Sequence, residues 1–116
     1  MINIIYSHNN DTHCLDIIGH AQFAKYGSDI VCAAVSMLYM ALIDKMWELY
    51  ELKAFDTIDT YSNDGKSHLV VKDFNNAIHR LVVDELFSMV INGLKELSNN
   101  YPNHVKVSTL PDEENS

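Results

Sequence analysis

The feature that most constrains this chain is an apolar run from Ile30 to Ile43, 14 residues long, inside a stretch predicted helical from about Ile30 to Leu52. Its first half is apolar on nearly every side, which predicts a central, buried helix. Ala33 and Ala34 let a neighbouring element approach closely. The second half turns amphipathic, with Asp44, Lys45, Glu48 and Glu51 facing out. A second long helix is predicted from a cap at Asn75 or Asn76 to about Ser98. Along it Ile78, Leu81, Val82, Leu86, Met89, Val90 and Leu94 recur at helical spacing.

Strand patterns fill the remaining chain. Residues 2–6 are β-branched and aromatic, and residues 13–18 follow after a polar turn at Asn9, Asn10 and Asp11. Residues 54–61 and 67–72 flank Asn63-Asp64-Gly65, a hairpin signal. Residues 104–107 form a last strand after Pro102. The order is β-β-α-β-β-α-β. Two long helices need a sheet to cover, so the expected fold is α+β: a two-layer sandwich with both helices on a mostly antiparallel sheet. One domain spans 1–110, and 111–116 is a polar acidic tail expected to be disordered.

Charge narrows the function classes. Sixteen acids against eight bases give a net charge of −8. A nucleic-acid binder needs a basic face, so direct nucleic-acid binding is not expected. An acidic surface suits a basic partner through electrostatic steering, although solubility is the plainer use of most of these charges. The 14-residue apolar run is shorter than a membrane span, and no secretory signal opens the chain. The expected location is therefore cytoplasmic, away from membranes, with both cysteines reduced.

Chemistry concentrates between Gly19 and Ser36. Gly19 ends the second strand, so His20 sits where a strand meets a loop. Cys32 follows at the predicted start of the first helix, with Ser28 or Asp29 as its cap. An imidazole can hold a thiol's proton, and a helix start favours a negative sulfur. On residue types alone, a buried small hydrophobe is the commoner reading of Cys32.

The wording of this stretch resembles the ribosomal-processing cysteine protease (Prp) family of bacteria. The resemblance rests on Gly19-His20-Ala21, then Tyr26 and Gly27, then Asp29-Ile30-Val31-Cys32-Ala33 and Ser36. It implies a cysteine endopeptidase with Cys32 as nucleophile and His20 as its proton partner, without a cofactor. Gly19, Asp29 and Ser36 are then supporting residues. Asp29 either caps the helix or orients His20, and Ser36 is either a supporting hydrogen-bonding group or a packed small residue. Phe23, Tyr26 and Gly27 form a substrate loop that lines an apolar pocket or closes as a lid. The implied substrate is the N-terminal extension of the basic large-subunit ribosomal protein twenty-seven. A homodimer is also implied, with Met46 and Trp47 as a contact.

Two readings from other classes remain beside it: a non-catalytic ribosome-assembly adaptor, and another thiol-dependent hydrolase such as a thioesterase. His8, His13, Cys14, His20 and Cys32 invite a zinc reading, but no C-x-x-C or H-x-x-x-H pair anchors one, so no metal is expected.

Overall fold

In a computed structural model of the chain the element order is the expected one. The structure describes residues 1–19 and 25–110, and of residues 25–29 the backbone alone. The expected tail at 111–116 lies outside the described residues. The strands are β1 (Ile2–His8), β2 (Thr12–Gly19), β3 (Phe55–Asn63), β4 (Lys66–Phe74) and β5 (Val105–Leu110). The helices are α1 (Lys25–Glu51) and α2 (Ala77–Asn100).

The sheet runs β3-β4-β2-β1-β5. Neighbours are antiparallel except β1 and β5, which are parallel. Alternation along each strand assigns the faces. On β2, His13, Leu15 and Ile17 are buried, while Thr12, Cys14 and Asp16 are only half-buried. Their cross-strand partners keep the same sides: Ile4 opposes Ile17, and Leu69 opposes Leu15. α1 adds Val31, Val35, Tyr39, Leu42 and Met46 to this core, and α2 adds Val83, Phe87, Val90, Ile91 and Leu94. Each such side chain contributes about 1.5–3 kcal/mol of burial.

Several expectations change here. α1 begins at Lys25, five residues before Ile30. It is not buried all round, because a two-layer fold covers only one side of a helix. Ile30, Met37 and Met40 are exposed on the other side. The α2 stripe is also displaced. Ile78, Leu81, Val82 and Met89 point outward, while Val90 and Leu94 of the expected stripe are buried beside Val83, Phe87 and Ile91. Continued past Ile43, the apolar stretch becomes Ile30–Glu51, 22 residues, long and apolar enough by length and composition to cross a membrane. In this fold it is the core helix over the sheet. Asn76 does cap α2, its side chain accepting from the His79 N–H at 2.8 Å.

Among the described residues, one polar side chain, that of His13, is fully buried in this core. His13 contacts the Tyr6 hydroxyl through Nδ1 at 2.6 Å and Asp84 Oδ1 through Nε2 at 2.7 Å. Burial pushes its pKa down to about 4, against the pull of the Asp84 carboxylate.

Candidate active site

One end of the sheet builds a cleft. There Ile2 of β1 opposes Gly19 of β2, Ile18 opposes Lys66 of β4, and Lys66 opposes Asn63 of β3. The first turns of α1 with described side chains pass over this end. Between them lies a cleft of about 210 Å³. Cys32 and Ser36, one helical turn apart, line one wall. Gly19 lies at its base, and the β3–β4 hairpin, with Ser62, Asn63, Lys66 and Ser67, forms the far wall. Cys32 is half-buried and carries a free thiol. A sulfur that is neither sealed in the core nor fully solvated, on the wall of a cleft, is placed to meet a ligand.

Gly19 is required by geometry. Its φ is +102°, a backbone state that side-chain-bearing residues rarely adopt. An added Cβ would lie 2.3 Å from the Met1 carbonyl oxygen. Its N–H donates to the Gly65 carbonyl at 2.7 Å, which ties the end of β2 to the hairpin turn. This tie holds the base of the cleft against its far wall.

The far wall is polar. The Ser62 and Ser67 hydroxyls are 3.1 Å apart, and the Lys66 ammonium sits 5.9 Å from the centre of the Tyr61 ring. Residues 62–67 are missing from the sequence-based site. Asn63-Asp64-Gly65 signals a turn, but only strand pairing carries that turn to Cys32.

The other expected site residues fall as follows. His20 and Phe23 lie outside the described residues. Tyr26 and Gly27 are not in a loop but in the first turn of α1. Asp29 is the fifth residue of that helix, so it does not occupy the N-cap position. Cys32 is the eighth, two turns in. The helix dipole acts mainly within the first turn, so the expected push from a helix start is largely lost at Cys32. Its N–H is also committed to the helix ladder, which removes it as an oxyanion donor. The expected position failed because Ser28-Asp29 is a good cap signal only if nothing before it is helical.

Comparison with known proteins agrees with this layout. The family model for cysteine protease Prp matches residues 1–106. The ribosomal processing cysteine protease Prp of Mycoplasma genitalium is 32% identical over 95 residues, covering 78% of this chain and 81% of that protein. The crystal structure of SMU.848 from Streptococcus mutans superposes with a TM-score of 0.69 at 26% identity, covering 94% of this chain and 93% of that one. The essential ribosomal processing protease Prp from S. aureus, in complex with a covalently linked product peptide, superposes at 0.73 with 22% identity, covering 94% and 99%. A family match over nearly the whole length, on a fold that sets a free thiol in a cleft, makes this chain a member of the cysteine protease Prp family.

Proposed function

We propose that this protease removes the N-terminal extension of large-subunit ribosomal protein twenty-seven in the cytoplasm, with Cys32 as nucleophile and His20 as its proton partner. The observation that carries the reading is the placement of the free Cys32 thiol across a cleft from Gly19. His20 follows Gly19 directly in the sequence. The S. aureus relative with its covalently linked product peptide supports a peptide as the substrate.

The steps follow the chemistry of the pair. His20 takes the thiol proton and the sulfur attacks a peptide carbonyl. The C–N bond breaks as the imidazolium gives its proton to the leaving amine, and a thioester remains. Water, deprotonated by His20, then releases the new carboxylate and restores the thiol. With little help from the helix dipole, His20 does most of the work of activating the sulfur. In this reading Asp29 orients His20. Among the described residues, the hydroxyl, amide and ammonium donors of Ser36, Asn63 and Lys66 line the cleft and suit an oxyanion. Phe23 and Tyr26 supply apolar surface for the extension. The net charge of −8 favours a basic substrate protein.

The enzyme pairs as a homodimer in this reading. Met46 is fully buried and drops out of the contact, whereas Trp47, Met37, Met40 and Met89 are exposed on the outer helix faces.

The deciding experiment incubates the extended ribosomal protein with the enzyme and measures product masses. One cut that removes the extension is expected, and Cys32→Ala should stop it without unfolding the protein. Cys14→Ala should cleave normally. Full cleavage by folded Cys32→Ala would remove the proposed nucleophile.

A further inference from the structure

At the opposite end of β1 from the cleft, three elements bring metal-binding side chains together. His8 on β1 and His13 on β2 are a cross-strand pair. Asp84 reaches them from α2, with Oδ1 at 2.7 Å from His13 Nε2 and 3.5 Å from His8 Nε2. The donor atoms of all three lie within 4.8 Å of one another. Ligand atoms on a tetrahedral zinc ion sit about 3.3 Å apart, given metal–ligand bonds of about 2.0–2.2 Å. The cluster is therefore close to chelating size without a backbone movement.

We infer that His8, His13 and Asp84 form a binding site for a divalent transition ion of zinc's type. Two imidazoles and one carboxylate suit such an ion, and none of the three belongs to the cleft that holds Cys32. Further features fit. His13 is fully buried, held through its other nitrogen by the Tyr6 hydroxyl at 2.6 Å, the outer-shell arrangement that orients a metal-bound imidazole. Phe87 stacks on the same ring at 4.3 Å and fixes its plane. A cavity of about 320 Å³ borders His8 and Asp84, with Glu85 and Ser88 in its wall, leaving room for a water as fourth ligand.

Two adjustments accompany binding. The His8 and His13 rings stack at 4.1 Å and 9°, so His8 must tilt to aim its nitrogen at a shared ion. It is the last residue of β1 and its side chain is 39% exposed, which leaves it room. With the ion on Nε2, His13 carries its proton on Nδ1, where the Tyr6 oxygen accepts it. The imidazole stays neutral throughout.

The test uses the full chain, free of affinity tags, carrying Cys14→Ser and Cys32→Ala so that no thiolate competes. Calorimetry with zinc chloride should give one equivalent bound, and cobalt chloride should give visible ligand-field bands. Saturating zinc should raise the melting temperature, because the ion links β1, β2 and α2. Adding His8→Ala should weaken zinc binding by at least about tenfold, a loss that even outer-shell changes reach. Asp84→Asn should do the same while still able to hydrogen-bond His13. Because His8 is exposed, its variant reports on the site without unfolding the core. Absence of zinc binding in the thiol-free protein would overturn the inference, as would unchanged affinity and stoichiometry in folded His8→Ala.

Discussion

Replacing Gly19 by alanine tests how the cleft is held together. The residue sits at φ +102°, where a side chain costs about 1–2 kcal/mol. The new Cβ would be 2.3 Å from the Met1 oxygen, about 1 Å inside the usual C–H···O contact distance. The obstacle is backbone, so relief requires moving the start of β1, where Ile2 is buried against the core. Forced overpacking of this kind costs about 1–3 kcal/mol. The total is about 3 kcal/mol, and a domain of this size should lose about 10 °C in melting temperature. Gly93→Ala is the matched control. Gly93 lies inside α2, and its new Cβ would meet the end of the Leu38 side chain at 3.2 Å, a group that can turn. Relief of helix-glycine entropy offsets that contact, so the net change should stay within about 1 kcal/mol either way. The assay is thermal unfolding of both variants, with cleavage rates alongside. Gly19→Ala should also lower cleavage, since the shift displaces the N–H that ties β2 to Gly65. If Gly19→Ala melts with the wild type, the close approach to Met1 is not a constraint and the reasoning fails.

Three other outcomes follow. His20→Ala should slow cleavage by at least about a hundredfold and slow alkylation of Cys32 at neutral pH; wild-type values for both would make His20 structural. In chelator, stability should fall as pH drops from 6.5, because the unfolded His13 takes a proton there while the folded one, facing Tyr6, His8 and Asp84, resists until about pH 4. The full loss is roughly 3 kcal/mol, and a urea midpoint that does not move between pH 6.5 and about pH 5 would refute it. Light scattering should give twice the 13.2 kDa chain mass, and Trp47→Glu should weaken the pairing; a constant monomer mass across a wide concentration range would exclude the dimer.

The amino-acid sequence alone determined the element order and the layer count. Strand and helix periods are local, and two long helices with five short strands admit few ways to bury their apolar faces. It also carried the motif around His20 and Cys32, which is specific enough to name a family. It could not choose the buried face of α2, because the helix has two apolar stripes and periodicity is blind to which one meets the sheet. Only packing separates Val83 and Phe87 from Leu81 and Met89. It misplaced the start of α1, since the cap signal at Ser28-Asp29 does not exclude the extra turn that precedes it. It could not see the far wall of the cleft, nor that Asp84 joins His8 and His13, which the residue pattern groups only with His20 and the cysteines. Strand register brings residues 62–67 to the cleft, and helix docking brings Asp84, 71 residues from His13, to the two histidines. Local chemistry is written in neighbouring residues; a site assembled from three elements exists only once tertiary contacts fix their distances.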